Sequence, residues 1–407
     1  MAASIFFVDK PTTENADQPG PSRWLSTSFV QRDSDPDDAG GEAVDLSKHV
    51  CLRPGETATA LLEVFVDDVS HARMLNDGQR ILEDVLVLRV ADGRDHFIPV
   101  QAAWAPSCIG RSVDELIRVP DGGIRRFVKA RSQGRAPSGS IPYELEVRRA
   151  APKELLQLLE TMGDLLERVL ADEHMLQDGG IPKDRPGWPL ESHEHQPDSG
   201  QAADVVRALD EDSAIGDAFG VEVPCLARLE VVSHVLLRFL DGLTDGIVDM
   251  SLWSRIEQSS LPSLSLGSKS AKPREEADED DKAAVLDVLS SAPNHNVSFV
   301  FLTSTISKML SDLSKGAKSD LDGLSWMGRG IGSIGRRTLS FKRGSLPSQA
   351  QTARDQQHAR ETRFVDILAK AVCRAPPAIK GKERKATEDR QRLMLALFLK
   401  GPRGGND

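Results

Sequence analysis

The stretch Leu82-Glu83-Asp84-Val85-Leu86-Val87-Leu88-Arg89-Val90-Ala91-Asp92-Gly93-Arg94-Asp95-His96-Phe97-Ile98-Pro99-Val100-Gln101-Ala102-Ala103-Trp104 decides the reading of the N-terminal part of the chain. Apolar residues recur in it with a period near two, and Asp92-Gly93 supplies the turn residues of a tight bend, so it reads as a β-hairpin. Working outward, residues 57–66 form another extended run after the Pro54-Gly55 turn, and Ser4-Ile5-Phe6-Phe7-Val8 forms a third before Pro11. Short runs punctuated by Gly, Pro and Asp predict an antiparallel β-sandwich over residues 1–128. Residues 33–45 are an acidic, glycine-containing loop within it, and 129–151 read as a linker and last strand.

After Pro152 the period changes. Leu155, Leu156, Leu158, Leu159, Met162, Leu165, Leu166, Val169 and Leu170 recur at three and four residues, the apolar stripe of a helix. Comparable stripes lie at 202–209, 226–240, 283–289, 299–313, 364–372 and 390–399, so residues 152–400 read as an all-α domain. Polar inserts near 178–200, 258–281 and 314–358 interrupt it, and all three are expected to be disordered. The middle insert carries six acidic residues in the seven of 275–281, and the last has a local charge balance of +5 between Lys315 and Arg343.

The 407 residues allow two or three domains, each with its own core. A net charge of −11 gives no overall attraction for nucleic acid, so no nucleic-acid partner is expected. Cys51, Cys108, Cys225 and Cys373 are far apart and spell neither a disulfide framework nor a zinc site, which fits a reducing cytoplasm. No apolar run approaches the ~20 residues that span a bilayer. A soluble, cytoplasmic protein follows, with membrane contact through partners.

Several motifs tempt. Gly330-Ile331-Gly332-Ser333-Ile334-Gly335 has the spacing of a dinucleotide-binding turn but lies in a basic Ser/Gly stretch without a strand before it. His193 and His195 stand beside Glu191 and Glu194 in a proline-rich loop, with no second cluster nearby to complete a metal site. Thr338, Ser340 and Ser345 follow arginine and lysine pairs and are candidate phosphorylation sites. No nucleophile, base and acid set is spelled out, and no cofactor is expected.

The hairpin block, continued by Ala105-Pro106-Ser107-Cys108-Ile109-Gly110 and preceded by Trp24-Leu25, Pro54-Gly55-Glu56 and Leu62-Glu63-Val64-Phe65-Val66, resembles the ASH domain of the oculocerebrorenal (Lowe) syndrome type of inositol polyphosphate 5-phosphatase. That resemblance implies an immunoglobulin-like sandwich followed by a RhoGAP-like helical domain. Pro152-Lys153-Glu154-Leu155 is similar to the start of the latter's first long helix, and residues 239–247 to its Phe-Leu-Arg-x-Leu-Pro-Glu-Pro-Leu segment.

A RhoGAP inserts an arginine that neutralises charge on the transferred phosphoryl group, worth roughly 10³–10⁵ in rate. By resemblance Gln177 stands at the arginine-finger position, and Leu237, Asp241 and Asp366 stand where other GAP residues belong. The expectation is therefore a pseudo-GAP: a non-catalytic adaptor that binds small GTPases in signal transduction and membrane traffic. Rab GTPases would engage the ASH part, with Phe6, Phe7 and Val8 on an edge strand as the contact, and Rho-family GTPases and endocytic adaptor peptides the helical part. Recruitment would be peripheral, to endosomal or Golgi membranes. The alternatives are an active RhoGAP using Arg185 or Arg207, and the C-terminal part of a phosphatidylinositol 4,5-bisphosphate 5-phosphatase. The family's phosphatase domain is missing, which fits a genuine non-catalytic protein, a split product or a truncated gene model.

Overall fold

The computed structural model describes residues 3–8, 24–31, 45–66, 68–133, 150–176, 181–182, 185–191, 199–259, 261, 274–327, 349–374 and 381–399. Gln177, Gly330 to Gly335, His193, His195, Thr338, Ser340 and Ser345 lie outside them, as does the acidic loop up to residue 44. The chain divides into two units, Met1–Pro106 and Ser107–Asp407.

Among its described residues the first unit holds seven strands and one helix: β1 (Ala3–Phe7), β2 (Leu25–Gln31), β3 (Asp45–Ser47), β4 (His49–Leu52), β5 (Thr59–Val64), α1 (Val69–Asn76), β6 (Leu82–Val90) and β7 (Asp95–Ala102). They form two sheets, ordered β4-β1-β6-β7 and β3-β2-β5, with every pairing antiparallel. The hairpin is as the sequence predicts. Val87 faces Phe97 across it, and Asp92 takes the left-handed φ of 60° that the tight turn requires.

The two sheets meet where Phe7 of β1 stacks on Phe29 of β2, with ring centroids 5.2 Å apart. A second cluster of Trp24, Leu75 and Leu82 ties α1 to both sheets, since β2 follows Trp24 and β6 begins at Leu82. Asp68 caps α1 by accepting the Ser70 N–H at 3.0 Å.

β1 is not an edge strand, contrary to the sequence reading. It pairs with β4 on one side and β6 on the other. The partner β4 is only four residues long and about forty residues away in the chain, a non-local pairing that no local pattern reports.

The second unit is helical: α2 (Val113–Ile117), α3 (Gly123–Ser132), α4 (Lys153–Leu176), α5 (Ser199–Glu211), a 3₁₀ turn (Ile215–Ala218), α6 (Cys225–Gly242), α7 (Met250–Gln258), α8 (Arg274–Ser290), α9 (Pro293–Met327), α10 (Gln349–Val372) and α11 (Lys382–Leu399). Its core joins Leu155, Leu158, Leu159 and Met162 of α4 with Leu229, Val232, Leu236 and Phe239 of α6, all fully buried. Phe299 of α9 meets Phe398 of α11 edge to face at 4.9 Å.

Three expectations need correction. The boundary falls after Pro106, not at 128, because α2 and α3 belong with the helices. Ser112 and Glu115 form a reciprocal capping box that starts α2. At Gly123 a side chain would meet the Asp210 carbonyl at 2.2 Å, so only glycine lets α3 approach α5.

The acidic run 275–281 is helical, not disordered. Ala277, Asp281, Val285 and Leu289 recur every fourth residue as one buried stripe of α8, leaving Glu276, Glu279 and Asp280 exposed on its outer face. The last insert is also shorter than expected, since α9 continues to Met327 and α10 starts at Gln349.

Candidate functional site

Two strands that pair on one side only among the described residues of the first unit expose apolar side chains. On β7, the last strand of its sheet, Phe97 is 70% exposed, and Val85 of β6 also lies exposed. The cross-strand pairs Val85 with Pro99 and Val87 with Phe97 point to one face of the hairpin, opposite the face that buries Leu82. On β5, the end strand of the other sheet, Leu62 and Val64 share the face of Phe29 yet remain about half exposed. An unpaired edge backed by apolar side chains is the geometry that accepts another strand or a flat apolar partner surface.

The sequence reading placed this contact on Phe6, Phe7 and Val8, and all three are half-buried. Phe7 turns inward onto Phe29. Phe6 turns to the other face, where its ring lies 5.0 Å from that of His49. The Val8 N–H donates to the Val87 carbonyl. The exposed residues Phe97, Val85, Leu62 and Val64 were missed, although the apolar outer positions of the hairpin were visible in its alternation.

In the helical unit, Leu237 is half-buried on α6 and Asp241 is exposed at that helix's end. The Arg374 guanidinium donates to the carbonyls of Leu240, Asp241 and Leu243 at 3.0, 2.8 and 2.8 Å, offsetting the negative end of α6 on which Asp241 sits. Asp366 on α10 instead faces α11, 3.1 Å from Arg392, beside a groove of about 290 Å³. Nothing in this arrangement points Asp241 and Asp366 at a common ligand.

Both arginines considered for a finger are engaged. Arg185 lies 3.6 Å from Glu230 of α6 with its side chain 18% exposed, and the same carboxylate accepts the Trp188 indole N–H at 2.9 Å. Arg207 pairs with Asp204 within α5 at 2.9 Å. Among the described residues no group of three or more His, Cys, Asp and Glu side chains is arranged to hold a metal ion. No helix among them is long and apolar enough to cross a membrane.

The segment opening the second unit is held by buried carboxylates. Asp210, 1% exposed, accepts the Cys108 N–H at 2.7 Å and the Ser107 hydroxyl at 3.2 Å, with Arg125 at 3.5 Å. Burial pushes its pKa up to about 6 despite those donors. Asp212 differs: burial disfavours its charge, but the Gly122 N–H and the Lys153 ammonium outweigh that and hold it below the usual range. Burial also raises the Cys108 thiol well above its ordinary value, leaving it protonated and unreactive. Asp210→Ala is expected to cost about 2–3 kcal/mol by stranding the Cys108 N–H, measured as a shift of the denaturant midpoint. An unchanged midpoint would show that the anchor contributes nothing.

Against known proteins, residues 43–104 match the family model described as "Inositol polyphosphate 5-phosphatase OCRL-like, ASH domain". The first unit carries an OCRL-like ASH domain. The matched span of this ASH domain covers β3 to β7, while β1 and β2 precede it. A stretch of 65 residues, 16% of this chain, is 38% identical to the type II inositol 1,4,5-trisphosphate 5-phosphatase of Mus musculus. It spans 6% of that protein's length. The Ser107 to Gly110 block, read from sequence as part of the ASH domain, lies in the helical unit instead.

Proposed function

We propose that this chain is a non-catalytic adaptor for small GTPases in signal transduction and membrane traffic, its helical unit a RhoGAP-like domain without an arginine finger. The observation that carries the reading is the ASH match at 43–104 followed in the same chain by an all-helical unit. Rab GTPases are assigned to the ASH domain, at the exposed β7 and β5 edges. Rho-family GTPases and endocytic adaptor peptides are assigned to the helices. Recruitment is to endosomal or Golgi membranes from the cytoplasm, through these partners and without a cofactor.

The electrostatics favour binding over catalysis. Gln177 is neutral, and Asp241 and Asp366 would repel a nucleotide rather than stabilise charge on its phosphoryl group. Arg185 is tethered to Glu230, and Arg207 projects from a helix already paired with Asp204. An arginine finger needs a cation free to reach the transferred phosphoryl, and both are spoken for.

Single-turnover GTP hydrolysis by a panel of Rab and Rho-family GTPases, with binding of the GTP-loaded forms recorded in the same samples, tests this. The expected result is binding without acceleration, and no change in hydrolysis with Arg185→Ala or Arg207→Ala. Acceleration approaching about a thousandfold, abolished by either change, would make the chain an active RhoGAP. The likeness to the mouse inositol 5-phosphatase favours a second reading, in which this chain is the C-terminal part of a phosphatidylinositol 4,5-bisphosphate 5-phosphatase. Phosphatase motifs in the adjoining upstream reading frame would decide for it.

A further inference from the structure

The strands β7 and β5 differ in what their open sides can donate. In an antiparallel ladder, successive residues of a strand turn their N–H and C=O groups alternately toward one neighbour and toward the other. Val8 donates its N–H to the Val87 carbonyl and Ala91 donates to that of Ser4, so Val87 and, by alternation, Val85 turn these groups away from β7. Their partners Phe97 and Pro99 then turn theirs to the open side of β7. Proline has no N–H, so that side lacks a donor at its middle, which guards it against an added strand.

β5 has no such guard. Among the described residues it pairs with β2 alone. Phe65 donates its N–H to the Trp24 carbonyl at 2.8 Å, one residue beyond the Leu25–Val64 pair. Alternation from that bond turns Thr59, Leu61 and Glu63 toward β2, and gives Ala60, Leu62 and Val64 an outward N–H and C=O each. The strand reads Thr-Ala-Leu-Leu-Glu-Val, without proline and with Glu63 as its one charge. That carboxylate accepts the Ser26 hydroxyl at 3.2 Å, back toward β2 and away from the open side.

A second copy of β5 meets this edge only in registers that set outward residues opposite outward residues. Centred on Glu63, the pairing would bring two carboxylates face to face. Centred on Leu61, it would set Ala60 opposite Leu62 and carry Val64 past the start of the strand. Centred on Leu62, it pairs Leu62 with its own copy and Ala60 with Val64 on either side. Every outward group of the strand is then bonded, a small side chain faces a larger one, and Glu63 stands opposite Leu61 rather than another carboxylate.

We propose that β5 is a self-association edge, pairing antiparallel about Leu62 with β5 of a second copy of this chain and joining the two β3-β2-β5 sheets into one. The half-exposed Leu62 and Val64 then gain apolar neighbours along the inner face they share with Phe29. The self-match of the strand, in length and in the placing of its one charge, selects a second copy over an unrelated strand. The pairing does not rest on the GTPase reading: it competes with any partner at β5 and leaves β7 open.

Sedimentation velocity of the full chain across micromolar concentrations tests this, and the parent should show a monomer–dimer equilibrium. Leu62→Lys and Leu62→Glu each set like charges together at the centre and should weaken the dimer at least about tenfold. Position 62 is already half exposed, so both variants should melt within a few degrees of the parent. Mixed in equal amounts they should dimerise again, because the introduced lysine of one copy faces the introduced glutamate of the other. Leu62→Pro, which removes an outward N–H as Pro99 does on β7, should also leave the chain monomeric. A Leu62→Lys chain that associates as tightly as the parent, or a mixture that stays monomeric, would overturn the proposal. So would a monomeric parent, including one that binds a labelled peptide of alternating valine and threonine, which would give the edge to an unrelated strand.

Discussion

Phe7→Asp is expected to unfold the ASH domain, and Phe97→Asp to leave it folded while removing partner binding. The two phenylalanines carry similar signals in the sequence, each in a short apolar run. Their environments are opposite. Phe7 stacks on Phe29, which is 2% exposed, and β1 holds the centre of its sheet between β4 and β6. A carboxylate there loses the aromatic contact and is left half-buried against the Phe29 ring. The expected cost is about 3–5 kcal/mol, a large share of the stability of a domain this size. Phe97 is 70% exposed on an end strand, so a charge there should shift stability by no more than about 0.5 kcal/mol. Circular-dichroism melts of the full chain, with binding of GTP-loaded Rab proteins measured on the same preparations, separate the outcomes. A Phe7→Asp chain that melts like the parent yet fails to bind would return the contact to β1 and remove it from β7.

The contrast between these two residues shows what the sequence could and could not report. The hairpin was legible because its strands are adjacent in the chain and Asp92-Gly93 fixes the turn, which in turn fixes the register of Val87 against Phe97. β2, β3 and β4 were not legible: β2 is serine-rich, and the other two span three and four residues. Without β4 in view, β1 looked like an edge, and its aromatics looked available.

In the helical half the stripes were strong and the interruptions misleading. The acidic run at 275–281 looked unable to pack because composition outweighed spacing. The spacing that places Ala277, Asp281, Val285 and Leu289 on one face was present in the sequence throughout. So was the capping pair Ser112 and Glu115, which marks a helix inside the region assigned to the sandwich. The engagement of Arg185 by Glu230, and the close approach at Gly123, depend on tertiary neighbours and were beyond any sequence pattern.

Glu154→Gln is expected to stabilise the helical unit at pH 8 and to give little or nothing at pH 5. Glu154 is 4% exposed near the start of α4, and its Oε2 has no hydrogen-bond partner among the described residues. Burial first, and the nearby charges of Asp210 and Asp212, raise its pKa to about 7, although its own backbone N–H and the Lys153 charge act in the other direction. The native state therefore holds a proton that the unfolded chain, with an ordinary carboxylate, releases near pH 4.5. Stability from this group is complete below that value and is lost as pH rises through 7, the reverse of a salt-bridged carboxylate. At pH 8 the ionised side chain costs on the order of 3 kcal/mol. An amide cannot ionise, so Glu154→Gln removes that penalty, less the smaller cost of burying the amide, for a net gain of about 1–3 kcal/mol. Asp210 titrates in the same direction near pH 6, and because its charge acts on Glu154 the difference between parent and variant reports the loss of Glu154 together with its coupling to Asp210. Chemical-denaturant midpoints of parent and variant at pH 5 and pH 8 measure it. A variant no more stable than the parent at pH 8 would mean that the Glu154 carboxylate finds a donor in solution, and that the burial around it is less complete than the packing of α4 against α6 requires.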